Sequence, residues 1–496
     1  MPRPLVFIHG YSSEGTAFYP LRDAILRCAR TKNFALRTED VDICTYVSLN
    51  NEITIKDIAE GLARALRKHA VLGNDQQDFD AIVHSTGMLV LRSWLTNYGA
   101  TPDSNNRLKR LKHLVGVAPA TWGSPQAHKG RTWLGALVKG NRQLGPDFLN
   151  AGDRVLDGLE LGSEFTWDLA HADLLSDPPY YDKGTSTPYV CVFIGNHGYT
   201  GIASVANDPG TDGTVRWSGC GLNTRKIRID LTRTPIGPDG KPTGRVSITP
   251  WANNRMDIPM IPVEGKNHST LIAEPDQGMV DLIVDFLKVG EQGGETSDQW
   301  TARATAFGKD AKKKMLVNPG ADAGGVTGEV KDLFGHMIGM HLQPTLEGWQ
   351  QFVVHAMDER GDGVSDYLIE VLKQENGEWK PFAEMYTDVH AYQADSSFRC
   401  FHVRLPQGIS SKELPLKIRI HASTGTELMA YQGYGSNEVT QLTATAEPVV
   451  LDISNDLGQG NGSLFYPFTT TLIEIVLNRE PLPLDDVSRI LHFSGN

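Results

Sequence analysis

Three segments of the chain carry residue types that together could perform nucleophilic catalysis. Ser85 follows an apolar run, Asp212 lies in a segment rich in glycine and threonine, and His268 comes later in the chain. A serine hydroxyl becomes a nucleophile when an imidazole removes its proton, and the imidazole needs a carboxylate that fixes its tautomer. The order Ser, Asp, His therefore predicts a catalytic triad that attacks a carbonyl carbon.

The sequence around Ser85 predicts a tight turn between a strand and a helix. An apolar strand at residues 79–83 ends just before the serine, and a helix at residues 88–97 begins just after it. Such a turn exposes the serine oxygen, and Gly87 allows the helix to pack close to the strand. The position two residues before the serine is usually glycine in this motif, whereas here it is Val83.

Two backbone N–H groups are candidates for stabilising the negative charge that develops on a carbonyl oxygen under attack. Thr86 lies at the predicted start of the helix, and Tyr11 follows His9 and Gly10 at the end of the first apolar strand. Fixed donors of this kind form an oxyanion hole. We expect the N–H groups of Thr86 and Tyr11 to form it, and we expect His9 to shape the loop.

The carboxylate and the imidazole have competitors nearby. Asp212 precedes Gly-Thr-Val, as a carboxylate in a tight turn would, whereas Asp208 precedes proline and has the features of a turn residue. A calcium-binding or plain turn loop is the alternative interpretation of this segment. His268 is preferred because it follows Asp212 and precedes the last helix predicted in this part of the chain, whereas His197 comes before the aspartate.

The spacing of apolar segments predicts two domains. At residues 1–290, short apolar strands alternate with helices, which predicts a mostly parallel sheet covered by helices on both faces. The alternation stops at about residues 120–187, where we expect a cap or lid, with an ordinary helical excursion as the alternative. Residues 291–310 are expected to be a linker, and the turn-separated β-rich runs of residues 311–496 predict an antiparallel, sandwich-like accessory domain.

Composition excludes several classes of protein. The 496 residues are 40% hydrophobic and 21% charged, which is a globular composition. The net charge of −12 argues against a nucleic-acid partner, and it implies that any peripheral contact with an anionic membrane would be apolar. The five cysteines are widely spaced and contain no CxxC motif, so we expect no disulfide framework and no zinc site. No set of metal ligands stands out in the sequence, and we expect neither a metal ion nor a cofactor.

The first residues do not have the pattern of a signal peptide, and no apolar run approaches the length of about 20 residues that crosses a bilayer. We therefore expect a protein without a transmembrane segment that is either cytoplasmic or secreted without a cleavable leader.

Together these segments resemble the α/β-hydrolase superfamily, and within it the lipase-like branch that includes bacterial triacylglycerol lipases, lecithin–cholesterol acyltransferase and inositol-deacylating lipases. The resemblance covers roughly residues 1–290 and rests on residues 9–10, 84–87, 118–125, 212–215 and 268.

The resemblance implies a serine hydrolase that cleaves carboxylic esters, above all lipid acyl esters, through an acyl-enzyme on Ser85. Trp122, in the loop after the strand that follows the predicted helix, is the candidate substrate-binding residue. An acyltransferase with the same triad and a non-catalytic binding protein on the same scaffold are the alternatives. The sequence names no protein partner for the C-terminal domain.

Overall fold

A computed structural model divides the chain into two compact units. Unit 1 comprises Met1–Thr224 and Trp251–Gln343, and unit 2 comprises Arg225–Pro250 and Pro344–Asn496. The structure describes residues 2–10, 15–41, 52–74, 77–96, 104–131, 153–181, 186–200, 207–232, 244–249, 258–317, 346–382, 385, 387–409, 415–433, 438–440, 448–453, 464–482 and 490.

The described helices and strands are numbered along the chain. The helices are α1 (Tyr19–Thr31), α2 (Ile55–Lys68), α3 (Gly87–Leu95), α4 (Ser104–Arg110), α5 (Pro125–Arg131), α6 (Asp153–Leu159), α7 (Glu164–Ala172), α8 (Trp217–Cys220), α9 (Thr270–Ala273), α10 (Gln277–Phe286) and α11 (Ser297–Val317). The strands are β1 (Pro4–Ile8), β2 (Arg37–Val41), β3 (Phe79–His84), β4 (Leu111–Val117), β5 (Tyr189–Gly195), β6 (Thr224–Asp230), β7 (Val246–Thr249), β8 (Met260–Val263), β9 (Leu346–Asp358), β10 (Tyr367–Glu375), β11 (Glu378–Pro381), β12 (Thr387–Ala391), β13 (Phe398–Pro406), β14 (Leu416–Ala422), β15 (Met429–Gln432), β16 (Val449–Asp452) and β17 (Thr470–Pro481).

Unit 1 is built on a six-stranded parallel sheet in the order β2-β1-β3-β4-β5-β8. Every residue of β1 and β3 is buried, as expected for strands that are covered on both faces. The expected fold class is therefore confirmed for this part of the chain. Because parallel strands present their carboxyl ends at one edge, the loops after β1, β3, β4 and β5 leave the sheet at the same edge.

The helices of unit 1 follow from local sequence signals. Thr54 and Asp57 form a capping box at the start of α2, in which each side chain accepts a hydrogen bond from the other residue's backbone N–H. The apolar residues of α2 recur at helical spacing and are buried, namely Ile55, Ile58, Leu62 and Leu66. None of the described helices combines the length and the apolarity needed to cross a bilayer.

Unit 2 is made of two β-sheets. One has the order β11-β10-β14-β16, and the other has the order β12-β13-β9-β17-β6-β7, with β15 paired to β17. Strands β9 and β17 run parallel, whereas the pairs β10–β11, β10–β14, β14–β16, β12–β13, β9–β13, β15–β17 and β6–β7 are antiparallel. Apolar residues of both sheets form one buried core. The β-rich character expected for the C-terminal region is confirmed.

The boundaries between the units differ from the expected ones in two places. Strands β6 and β7 belong to unit 2, because Ile227, Ile229 and Leu231 are buried in its core. Helix α11 occupies much of the stretch that was expected to be a linker. Trp300 holds the start of this helix in unit 1, since its indole N–H donates to the carbonyl of Leu282 at 3.1 Å.

Candidate active site

Ser85 lies at the turn between β3 and α3, as its sequence context predicts. Its φ angle is +53°, a left-handed conformation that is uncommon for a residue with a side chain and stores strain. The surrounding backbone holds this conformation, because the carbonyl of Ser85 accepts from the N–H groups of Met88 at 3.2 Å and Ala120 at 3.0 Å. The strained turn presents the serine at the carboxyl edge of the sheet.

Two glycines bring the neighbouring backbone close to this turn. A side chain at Gly87 would clash with the carbonyl oxygen of Ile8, so glycine allows α3 to begin directly against β1. A Cβ atom at Gly10 would lie 2.9 Å from the Cβ and 3.4 Å from the Oγ of Ser85. The end of the first strand therefore packs against the candidate nucleophile.

Asp212 and His268 lie together although 56 residues separate them in sequence. The Nδ1 atom of His268 is 3.0 Å from Oδ2 of Asp212, and the backbone N–H of His268 donates to the carbonyl of Asp212 at 3.1 Å. Both side chains are buried, with the histidine 5% exposed. A carboxylate bonded at Nδ1 leaves Nε2 as the nitrogen that can accept a proton.

The turn around Asp212 fixes the direction of its carboxylate. Oδ1 accepts from the backbone N–H groups of Thr214 at 3.0 Å and Val215 at 2.9 Å, so that Oδ2 faces the histidine. Gly213 adopts a φ angle of +95° inside this turn, which only glycine adopts readily. Asp208, the competing aspartate, precedes the turn, and its carbonyl accepts a hydrogen bond from the hydroxyl of Thr211.

His84 connects the nucleophile turn to the candidate base. Its ring packs on the ring of His268 with centroids 4.7 Å apart, and its Nε2 is 3.0 Å from the carbonyl oxygen of His268. Because a carbonyl only accepts, Nε2 of His84 carries the proton and donates. Burial, together with the neighbouring His268, lowers the pKa of His84 well below its usual value and keeps the ring neutral. Since His84 directly precedes Ser85, this contact brings His268 to the nucleophile turn.

The sequence offered a signal for His84, because it stands inside the serine motif. The local sequence could not reveal that His84 contacts His268, which is 184 positions away.

Of the two candidate oxyanion donors, the structure describes Thr86 but not Tyr11. Thr86 is buried where α3 begins, and the first N–H groups of a helix have no intrahelical acceptor. Its hydroxyl is also buried and finds no hydrogen-bond partner among the described residues. Tyr11 lies outside the described residues, so its N–H remains a prediction.

Trp122 is not placed to contact a substrate in this structure. It is 0% exposed, and its indole N–H donates to the carbonyl of Gly221 at 3.3 Å. The loop that contains it packs against the short helix α8, since the backbone N–H of Trp122 also donates to the carbonyl of Gly219. We therefore do not include Trp122 in the proposed site. The segment expected to form a cap contributes α5, α6 and α7, while residues 132–152 and 182–185 lie outside the described residues.

A buried ion pair supports the helix behind the serine. Arg92 of α3 bonds both carboxylate oxygens of Asp173, at 2.8 and 2.9 Å, and it donates to the carbonyl of Thr121 at 2.6 Å. The hydroxyl of Tyr181 donates to the same carboxylate at 2.8 Å. This network ties α3 to the loop after β4, and it was not predicted from the sequence.

The chain is similar to known proteins in its structure, but it matches none of the compared family models or curated sequences. The structure of phospholipase PlaB from Legionella pneumophila matches with a TM-score of 0.71 at 19% identity, covering 100% of this chain and 96% of that chain. The same protein in complex with thio-NAD gives a TM-score of 0.70 with the same identity and coverage.

Lipase BlEst2 from Bacillus licheniformis in its mature form is a more distant match. It covers 57% of this chain and 92% of that chain at 13% identity, with a TM-score of 0.36. The likeness to PlaB, together with the six-stranded parallel sheet of unit 1, shows that the chain has the α/β-hydrolase fold, as expected from the sequence. It also extends over the C-terminal β unit, which the sequence resemblance did not reach.

Proposed function

We propose that the protein is a serine hydrolase of carboxylic esters, with lipid acyl esters as its substrates. The observation that carries the proposal is the arrangement around His268. Its Nδ1 meets the buried carboxylate of Asp212, and its ring packs on His84, the residue before the strained Ser85. Strain stored at a serine between a strand and a helix is typical of a nucleophile.

In the proposed reaction, the Oγ of Ser85 attacks the ester carbonyl carbon while Nε2 of His268 takes the hydroxyl proton. Asp212 holds the proton on Nδ1 and stabilises the imidazolium that forms. The N–H groups of Thr86 and Tyr11 bond the oxyanion. His268 then gives its proton to the departing alcohol, which leaves the acyl group on Ser85. Water, activated by the same imidazole, releases the acid.

Lipid as the substrate class is supported by the likeness to PlaB, which is described as a phospholipase. The same fold also accommodates other ester substrates, so the substrate class requires its own measurement. The measurement is the release of free fatty acid from phospholipid vesicles that are incubated with the purified protein. Turnover of short p-nitrophenyl esters without release of fatty acid from vesicles would restrict the proposal to soluble esters.

The role of the serine is tested with Ser85→Ala. We expect kcat/KM for p-nitrophenyl butyrate to fall by a factor on the order of 10⁴ or more. Ser269→Ala is the matched control, because it removes a hydroxyl from the residue next to His268 without touching the serine turn. Unchanged turnover in Ser85→Ala would refute the proposal.

A fluorophosphonate probe separates an enzyme from a non-catalytic binding protein. The probe reacts with a serine only when a base activates it. We expect peptide mapping by mass spectrometry to find the label on Ser85, and no label there would indicate an inactive scaffold. Product analysis with an added alcohol separates hydrolysis from acyl transfer, since transfer yields a new ester.

A further inference from the structure

The core of unit 2 contains a cavity between its two sheets. Its volume is about 220 Å³, and it is partly open to solvent. One wall comes from β10 and β14 and the other from β9, β13 and β17, and nearly all of the lining side chains are apolar. They include Val371 of β10, Phe401 of β13, and Phe382, which follows β11.

The mouth of the cavity lies where the core is incompletely covered. Val371, Phe382, Met385 and Phe401 line the cavity and pack against the buried core, yet they stay half-buried. The backbone N–H of Phe382 donates to the carbonyl of Val371 at 2.9 Å, which anchors the chain after β11 at the rim. An apolar cavity that meets solvent favours an apolar ligand, because its walls offer water few hydrogen bonds.

Two lysines lie beside this mouth on the cavity face. Side chains alternate along a strand, so Lys373 projects to the same face of β10 as Val371. Lys380 of β11 is directly opposite Lys373 in the antiparallel register. The ammonium group of Lys373 lies 4.6 Å from the centre of the Phe382 ring, at the rim. Like charges placed directly opposite each other are unfavourable, so an anion between them would stabilise the pair.

The acidic partners of these lysines lie farther from the cavity. Lys373 forms an ion pair with Glu375 at 2.8 Å, and Lys380 forms one with Glu378 at 3.5 Å. The two glutamates are opposite each other in the register, two residues away from the lysines along each strand. Both glutamates are exposed, at 42% and 74%, so they can rotate away at small cost. Glu370 precedes Val371 at the cavity wall, but its side chain projects to the other face of β10, where His421 bonds its carboxylate at 2.9 Å.

We propose that unit 2 binds a straight-chain fatty acid, with its alkyl chain between the sheets and its carboxylate at Lys373 and Lys380. Since a dry apolar cavity of about 150 Å³ holds the six carbons of benzene, a volume of 220 Å³ takes about nine chain carbons. Decanoate therefore matches the cavity in both length and charge. The cavity is lined by residues of unit 2 alone, and the inference does not rest on the proposed hydrolase activity.

The experiment is calorimetric titration of decanoate, kept below its micelle-forming concentration, into the full-length Ser85→Ala chain. Val371→Phe places a ring in the cavity, and we expect it to weaken binding by about tenfold or more because the alkyl chain loses that space. Leu368→Phe is the matched control. Leu368 is on the opposite face of the same strand and is 53% exposed, so its replacement should leave the affinity unchanged.

The polar end is tested with the double variant Lys373→Gln and Lys380→Gln. We expect the affinity for decanoate to fall by about tenfold, as for the loss of a hydrogen bond to a charged group, while the affinity for decanol stays the same. If Val371→Phe unfolds at a lower temperature than its parent, Val371→Met fills part of the same space with a more adaptable side chain.

Loss of decanoate binding in the cavity variants together with retention in Leu368→Phe supports the proposal. Equal affinity in Val371→Phe and Leu368→Phe would place the ligand elsewhere and overturn it, as would the absence of measurable binding to the parent chain.

Discussion

Replacing Asp212 with asparagine tests the chemistry proposed for His268. Oδ1 of Asp212 accepts two backbone N–H groups, from Thr214 and Val215, so the oxygen of an asparagine would be held at this position. The amide NH₂ group would then face Nδ1 of His268, where Oδ2 lies 3.0 Å away in the native protein. Because NH₂ only donates, the histidine would have to accept at Nδ1 and carry its proton on Nε2.

That tautomer is the wrong one for catalysis. Nε2 of His268 would already hold a proton and could not take the proton of Ser85. The corresponding change in serine proteases lowers kcat by about 10⁴, which is about 5.4 kcal/mol of lost transition-state stabilisation. We expect Asp212→Asn to lose activity on this scale. The backbone hydrogen bonds that hold the turn remain, so the fold should persist.

The measurement is kcat/KM for p-nitrophenyl butyrate, together with thermal unfolding to verify that the variant folds. Asp208→Asn is the matched control, because it makes the same chemical change at the aspartate that precedes this turn. We expect its activity to stay within about threefold of the native protein. Activity of Asp212→Asn within about tenfold of the native value, or a larger loss in Asp208→Asn, would refute the proposed role.

Three further substitutions test the surroundings of the site. Gly10→Ala would place a Cβ atom 2.9 Å from that of Ser85, and we expect fluorophosphonate labelling to slow by about tenfold or more, as small displacements of reacting groups do; an unchanged labelling rate would contradict this. Asp173→Asn leaves the guanidinium of Arg92 buried without its charged partner, so the free energy of unfolding should fall by about 3–5 kcal/mol, and an unchanged thermal midpoint would argue against it. The pKa of His84 is depressed by burial, so its contribution to stability is complete above about pH 6.5 and is lost below it at up to about 1.4 kcal/mol per pH unit. His84→Gln should flatten that acid limb of the thermal midpoint curve, and parallel curves would show that His84 does not cause it.

The nucleophile turn was predictable because its signals are contiguous. An apolar strand, a serine and a helix with glycine at its start follow one another without interruption from Phe79 to Leu95, and this local pattern specifies both elements and the turn between them. The capping box of Thr54 and Asp57 was predictable for the same reason, since its partners are three residues apart.

The domain boundaries were less accessible, because a strand pattern does not reveal which sheet the strand joins. Ile227, Ile229 and Leu231 alternate as expected for a strand, yet they are buried in the core of unit 2. Helix α11 begins in a polar stretch that resembles a linker, and its buried side chains include Trp300, Ala304, Ala311 and Met315. Sheet membership and helix docking depend on partners that are distant in sequence.

The sequence by itself determined which residue types could react, in what order they occur, and which local turns carry Ser85 and Asp212. Only the tertiary structure decided that His268 meets Asp212 and packs on His84, that Trp122 is buried, and that unit 2 keeps an open cavity. Turns and helices arise from interactions between near neighbours along the chain. Side-chain contacts and cavities depend instead on how separate elements pack, and the order of residues contains no direct measure of that distance.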